Sequence, residues 1–276
     1  LNTVLDICSA IVLETHLMTT KNSANLSGSY YRKSPDPSGR VIDREVLTNI
    51  LKKVEKMGEK ALIVFDLDST ILDNRTRQAR IIREFGRFKN MVELEKCDAE
   101  NVHCWSIVDS MLECGMSVEM AKSIEKEARA FWVDRFFTSS YCQDDRAILG
   151  AVDYVNKVKS SGCKIAYLTG RHDAMREGTI QSFINEGFAL PDGHQVFLIM
   201  KPTFEMHDDD FKVEAYQSLH KIGEAIAFFD NEPTHINSYH LAFPDALCVH
   251  LLTDDSGRGV VVESKVPSIY DFRLQA

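Results

Sequence analysis

The sequence lacks three features that would each indicate a particular class of protein. It has no run of 18 or more apolar residues, so it predicts no transmembrane helix. Its seven cysteines are scattered and form no CxxC pair, which excludes a zinc finger and a small disulfide scaffold. The 32 Lys and Arg are outnumbered by 41 Asp and Glu, and the net charge of −9 disfavours broad contact with nucleic acid or anionic lipid. The odd number and scattered positions of the cysteines indicate reduced thiols in a cytosol, so we predict a cytoplasmic protein.

What the chain does have is material for a sizeable core, with 44% hydrophobic and 26% charged residues among 276. Its first 40 residues differ from the rest. Residues 1–17 are apolar without a basic start, and they are either a leader or mis-annotated start, or a short amphipathic helix that docks on the core or a partner. Residues 18–40 are rich in Ser, Asn, Gly and Pro, which predicts a flexible linker. We therefore expect an N-terminal extension over 1–40.

From residue 41 onward, helical and strand-like patterns alternate. Apolar runs that are too short for helices are separated by amphipathic segments; they cover 61–65, 163–168, 195–200, 225–229 and 246–252. This alternation predicts an α/β fold with a Rossmann-like parallel sheet and helices on both faces. Between the first two runs the chain has only helix-like segments. We therefore predict a core formed by 41–75 and 145–276, with a small α-helical domain over 76–144.

The residues that follow the strands deserve inspection because open parallel sheets bind ligands at the carboxyl ends of their strands. Asp66 and Asp68 follow the first strand and point the same way, so they could hold Mg²⁺ and act as nucleophile and acid/base; a polar turn is the alternative. Thr169 and Gly170 follow the second strand and could offer a hydroxyl and backbone N–H groups to a phosphate, or form an ordinary turn. Asp230 follows the fourth strand as a metal ligand or a helix cap.

Lys212 is unusual for its place in a predicted helix. With Asp210 as the N-cap, it falls in the first turn, where the helix macrodipole disfavours a cation unless an anion faces it. A solvated lysine is the alternative. Arg75 and Arg77, just past the first acidic pair, could meet an anionic substrate, but we expect them to be solvated or salt-bridged.

Taken in order, DLDST after the first strand, LTGR after the second, a lysine and DNEP after the fourth resemble the haloacid dehalogenase (HAD) superfamily, and specifically its phosphatases. The resemblance covers roughly 41–255 and makes 76–144 the helical cap inserted after the first motif. It implies that Asp66 is the nucleophile and forms an aspartyl-phosphate. It also implies that Asp68 protonates the leaving group and then deprotonates the attacking water. An acid at position 68 argues against dehalogenation.

The resemblance also implies a set of ligands. Thr169 and the backbone N–H of Gly170 would bind the phosphate. Mg²⁺ would be held by the side chains of Asp66 and Asp230 and by the backbone carbonyl of Asp68. The phosphate-binding lysine could be Lys201, directly after the third strand, or Lys212. We prefer Lys212, because it lies in the first turn of the helix that leads to the fourth strand.

The fourth motif departs from the commoner form of the family. A second acid is expected four or five residues after Asp230, where this chain has Thr234 and His235. Asn231 resembles a paired-acid variant in which an amide replaces one acid, and the roles of Asn231 and Glu232 stay open.

The predicted function is that of a Mg²⁺-dependent phosphomonoesterase that acts on a small phosphorylated metabolite. A nucleic-acid end phosphatase and a non-catalytic ligand-binding protein on the same fold are the alternatives. We expect no membrane partner and no nucleic-acid partner. Neither the substrate nor the oligomeric state follows from the sequence.

Overall fold

The structure is a computed structural model that describes residues 42–43, 45–102 and 106–274. The predictions made for residues 1–40 lie outside the described residues. Strands and helices are numbered below in chain order. The strands are β1 (Ala61–Phe65), β2 (Leu72–Asp73), β3 (Arg146–Ala147), β4 (Lys164–His172), β5 (Val196–Lys201), β6 (Glu224–Asp230), β7 (Leu247–Leu251) and β8 (Ser268–Ile269).

Six of these strands form one parallel sheet in the order β5-β4-β1-β6-β7-β8. The predicted α/β fold is confirmed, and a strand covers most of each of the five predicted apolar runs. The two-residue strand β8 was not predicted, because so short a segment shows no apolar run. The remaining strands β2 and β3 pair with each other in the antiparallel direction.

Helices cover both faces of the sheet. They are α1 (Glu45–Met57), α2 (Arg75–Lys89), α3 (Ile107–Glu113), α4 (Val118–Phe136), α5 (Ser139–Cys142), α6 (Ala151–Ser160), α7 (Arg176–Glu186), α8 (Asp208–Glu214), α9 (Tyr216–Ile222) and α10 (Pro233–Ala242). Short 3₁₀ turns lie at Gly58–Lys60, Leu94–Lys96, Ala99–Asn101 and Asp173–Met175. No helix within the described ranges is both long and apolar enough to cross a membrane.

Strand β1 is apolar throughout because both of its faces pack against helices. Ile63 and Phe65 belong to a core cluster with α1 and α6, whereas Leu62 and Val64 belong to a second cluster with α8, α9 and α10. Successive side chains of a strand point to opposite faces, so a strand that is covered on both faces needs apolar residues at every position. The central strand is therefore buried along its whole length.

The insertion between β2 and β3 has a core of its own. Its buried side chains come from α2, α3, α4 and the connecting turns, and they include Ala79, Ile82, Phe85, Leu94, Met111, Ala121 and Ala128. Helix α2 begins at Arg75, one residue before the predicted start of the insertion. The insertion contacts the core where α5 meets α7, at Gly178. A Cβ atom at this position would lie 1.8 Å from the carbonyl oxygen of Ser139, so the close approach requires glycine.

Candidate active site

The loop after β1 turns sharply at the carboxyl edge of the sheet. The backbone N–H of Asp66 donates to the carbonyl of Phe229 at 2.9 Å, which extends the pairing of β1 with β6. Beyond Asp66, the carbonyl of Leu67 accepts N–H groups of the following turn, in which Ser69 has a φ of 58°. This turn places Asp66 at the sheet edge where β6 ends in Asp230.

Lys212 joins the ends of these two strands. Its Nζ donates to Oδ1 of Asp66 at 2.8 Å and to Oδ2 of Asp230 at 2.7 Å, and all three side chains are buried. Lys201, the other candidate, donates instead to Oδ1 of Asp208 at 2.6 Å. The structure therefore brings Lys212, and not Lys201, between the two acids that were predicted to bind metal.

The expected start of the lysine helix was wrong. Helix α8 begins at Asp208, and His207 is its N-cap, with Nδ1 accepting from the N–H of Asp209 at 3.3 Å. Asp210 is therefore inside the helix, and Lys212 lies beyond its first turn. The macrodipole argument does not apply at that position, and the anions that face Lys212 are the two strand-end carboxylates.

Two buried carboxylates share one lysine in this group. Burial, reinforced by the neighbouring Asp230, raises the pKa of Asp66 to about 7, although Lys212 opposes the change. Burial alone would lower the pKa of Lys212, but the carboxylates of Asp230 and Asp66 hold it well above its usual value. A further cation beside Asp66 would restore the ionised carboxylate that a nucleophile needs.

The residues present fit a divalent metal ion with oxygen ligands. Asp66 and Asp230 supply two carboxylates at one point of the sheet edge, and Mg²⁺ takes such oxygen ligands together with waters. Among the described residues, no three His, Cys, Asp or Glu side chains are grouped as a metal site. That finding is compatible with the predicted ligand set, in which the third protein ligand is a backbone carbonyl, that of Asp68.

Asp68 faces away from Lys212, toward two arginines. Arg171 donates from Nε to Oδ2 at 2.8 Å and from Nη2 to Oδ1 at 2.7 Å, and Arg77 donates from Nη2 to Oδ1 at 2.7 Å. Burial alone would raise the pKa of Asp68, but the Arg171 and Arg77 guanidiniums hold it well below its usual range. Arg77 is fully buried and salt-bridged, which agrees with one of the two alternatives expected for it. The sequence did not indicate that Asp68 would be its partner.

The predicted phosphate loop lies at the end of β4. Thr169 is buried, and its Oγ1 accepts from the backbone N–H of Arg171 at 3.2 Å. A Cβ atom at Gly170 would lie 2.5 Å from Oδ2 of Asp208, so a larger residue there would displace the carboxylate that pairs with Lys201. Phosphate binding by Thr169 and Gly170 stays a prediction.

The residues after Asp230 are held in place by contacts of their own. The backbone N–H of Asn231 donates to Oγ1 of Thr70 at 3.2 Å, and its Nδ2 donates to the carbonyl of Asp254 at 2.5 Å. The carboxylate of Glu232 accepts from the backbone N–H and the hydroxyl of Ser256, both at 2.9 Å. Both side chains are thus engaged by neighbouring loops.

His235 is, with Thr234, one of the two residues at the positions where the resemblance implied a second acid. Its Nε2 lies 2.8 Å from Oδ1 of Asp209, and its Nδ1 lies 3.5 Å from Oδ1 of Asp230. Because a carboxylate only accepts hydrogen bonds, Nε2 is protonated and donates a hydrogen bond to Asp209. The sequence showed the departure at this position, but it gave no sign that Asp209 would support the histidine.

Comparisons with known proteins found similar chains among solved structures. No protein-family model matches the chain, and no curated protein matches it. Among solved structures, a class C acid phosphatase from Bacillus anthracis with bound tungstate is similar at 16% identity and a TM-score of 0.42, over 73% of this chain and 68% of that one. A haloacid dehalogenase-like hydrolase from Streptococcus pneumoniae is similar at 12% identity and a TM-score of 0.45, over 75% and 92%. A dehalogenase with an intermediate complex is similar at 11% identity and a TM-score of 0.44, over 78% and 95%.

The positions of the four sequence motifs in the sheet topology can be compared with those that the resemblance implies. Three of the motifs lie at the carboxyl edge of the sheet, and the lysine reaches the same edge from a helix. The helical insertion follows the first motif. The chain thus has a parallel α/β fold with a helical insertion after its first motif, which is the arrangement that the sequence resemblance to the haloacid dehalogenase superfamily implies.

Proposed function

We propose that the protein is a Mg²⁺-dependent phosphomonoesterase that acts on a small phosphorylated metabolite through an aspartyl-phosphate. The observation that carries the proposal is the position of Lys212 between Asp66 and Asp230. A buried lysine at this point offsets the repulsion between a phosphate and the carboxylates. When bound, Mg²⁺ would supply further positive charge to the same end.

The residues of the site have separate roles in the proposed reaction. An oxygen of Asp66 attacks phosphorus, while its other oxygen is held by the hydroxyl of Thr70 at 3.0 Å. Thr169 and the N–H of Gly170 bind the phosphate oxygens.

Arg171 and Arg77 hold Asp68 as a carboxylate in the free enzyme, so Asp68 takes up a proton when the phosphate dianion binds beside it and passes that proton to the leaving oxygen. It then takes a proton from the water that hydrolyses the aspartyl-phosphate. Phosphoryl transfer depends mainly on such placement and charge stabilisation.

A small substrate is proposed because the cap meets the core beside the site, where Arg77 of α2 contacts Asp68. The net charge of −9 counts against a polynucleotide substrate. A cytoplasmic location belongs to the same proposal; the five described cysteines, Cys97, Cys114, Cys142, Cys163 and Cys248, are free thiols.

Hydrolysis of an aryl phosphate by the full chain tests the proposal. We expect turnover with added Mg²⁺, loss of turnover in EDTA, and recovery when Mg²⁺ is restored in excess. A 3′-phosphorylated oligonucleotide and a 2-haloacid serve as competing substrates. Preference for the oligonucleotide, release of halide, or activity that EDTA leaves intact would each contradict the proposal.

The two lysines provide a matched comparison at this edge of the sheet. We expect Lys212→Ala to lower kcat/KM for the aryl phosphate by about 10²-fold, because it removes a charge that faces the reacting group. Lys201→Ala removes a lysine paired with Asp208 and should change kcat/KM by less than about threefold, as for a partly exposed ion pair. Steady-state kinetics of both variants check the expectation, which a larger loss for Lys201→Ala would contradict.

A further inference from the structure

The two arginines that hold Asp68 are themselves joined by a second carboxylate. Asp145 accepts from Nη2 of Arg171 at 2.5 Å through Oδ2, and its Oδ1 lies 3.0 Å from Nε of Arg77. Asp68, Arg77, Asp145 and Arg171 therefore form a closed ring of alternating charge, which we call the arginine ring. Its two acids balance its two bases, and of its members only Asp68 is appreciably exposed, with 20% of its side chain accessible.

The members of the arginine ring come from separate parts of the fold. Asp68 follows β1 and Arg171 lies in β4, so these two belong to the sheet. Arg77 lies on α2, the first helix of the cap, and Asp145 immediately precedes β3, where the cap ends. The cap therefore supplies one cation and one anion to the group that holds Asp68.

Arg77 is fixed independently of Asp68. Its Nη1 donates to the carbonyl oxygen of Phe136 at 3.1 Å, and its guanidinium carbon lies 3.9 Å from the centre of the Phe136 ring. The side chain of Arg77 is 0% exposed. A planar guanidinium that is stacked and bonded in this way has one orientation, and it imposes that orientation on the carboxylate it contacts.

We propose that Arg77 is a positioning residue, which aims Asp68 at the leaving group; the inference rests on the proposed phosphatase function. A proton-transfer group must lie within hydrogen-bond distance of the atom it serves, so the rotation of the Asp68 carboxylate decides whether it can act. Arg171 and Arg77 both contact Oδ1, which leaves the carboxylate little freedom to turn. The predicted phosphate ligands, Thr169, Gly170 and Lys212, are not part of this ring.

The chemistry of the leaving group separates this role from a merely structural one. An alkoxide is a poor leaving group and needs a proton as the P–O bond breaks, whereas 4-nitrophenolate leaves without one. A misplaced Asp68 therefore slows the cleavage of an alkyl phosphate more than that of 4-nitrophenyl phosphate. A general loss of structure or of phosphate binding slows both alike.

The test compares kcat/KM for these two esters in the full chain and in Arg77→Lys, which keeps the charge but loses the planar fork. We expect kcat/KM to fall at least about 10-fold further for the alkyl ester than for the aryl ester, within the range that proton transfer contributes. Inhibition by orthovanadate, which needs no protonated leaving group, should stay within about threefold of the wild type. Asp145→Asn removes the negative charge that pairs with both arginines on the side of the ring away from Asp68. It should show the same difference between the two esters.

The matched control is Arg80→Lys. Arg80 lies on the same helix but pairs with Glu84 and Asp144, so its substitution should affect the two esters equally. Equal losses for both esters in Arg77→Lys and Asp145→Asn would overturn the positioning role. Failure of the wild type to cleave either ester, at any Mg²⁺ concentration, would instead contradict the proposed function and with it this inference.

Discussion

Asp66→Asn is expected to lower kcat for an aryl phosphate by at least about 10⁴-fold, which is the size of the loss that removal of a catalytic nucleophile causes. An amide oxygen cannot form the aspartyl-phosphate. The substitution keeps the shape of a side chain that is 7% exposed, and an acceptor oxygen for Lys212 remains, so the fold should persist. Rapid-quench kinetics and mass spectrometry check both aspects: the wild type should carry a transient phosphoryl group on Asp66, and the variant none.

The control for this experiment is Asp173→Asn. Asp173 follows β4 at the same edge of the sheet, but its side chain is 58% exposed and pairs with Arg176. Its substitution should leave kcat within about twofold, since an exposed pair contributes little. Retention of wild-type kcat by Asp66→Asn would exclude the aspartyl-phosphate mechanism.

Arg77→Met is expected to lower the free energy of unfolding by about 3–5 kcal/mol, which is the cost of removing one partner from a buried ionic group. The methionine fills part of the space but leaves Asp145 with Arg171 alone, and Asp145 is 0% exposed. Denaturant unfolding monitored by circular dichroism measures the loss. A change below about 1 kcal/mol would show that the arginine ring contributes little to stability.

A double substitution separates the charge imbalance from the loss of packing. Arg77→Met combined with Asp145→Leu removes one base and one acid, so the remaining pair of Asp68 and Arg171 is balanced again. We expect the double variant to be more stable than Arg77→Met alone, because no buried carboxylate is left undercompensated. Further destabilisation in the double variant would instead assign the effect to packing around Phe136.

The features that the sequence predicted well are those with a local signal. A strand buried on both faces must be apolar at consecutive positions, and an acid directly after such a strand is conspicuous; β1 followed by Asp66 and β6 ending in Asp230 are examples. Their sequence position also implied their spatial proximity, since parallel strands end at one edge of the sheet. Lys212 was singled out for the wrong reason, because its helix begins earlier than expected.

The features that the sequence could not show are contacts between distant segments. Arg77 and Asp145 lie at opposite ends of the cap, and nothing within a few residues of either indicates that they pair with each other or that Asp145 also pairs with Arg171. The same holds for His235, whose partner Asp209 belongs to another helix. Such pairs depend on how the cap and the helices pack, and a single sequence carries no periodicity from which that packing follows.

The short antiparallel pair formed by β2 and β3 has a consequence for the modularity of the chain. It brings the two ends of the cap side by side, with Leu72 opposite Ala147 and Asp73 opposite Arg146. A tight turn could replace residues 74–145 without separating the ends of the core. Such an excision would take away Arg77 and Asp145 together, and what remained of the arginine ring would still be electrically neutral. The cap thus supplies one acid for the one base that it contributes, and the core keeps a balanced pair of its own.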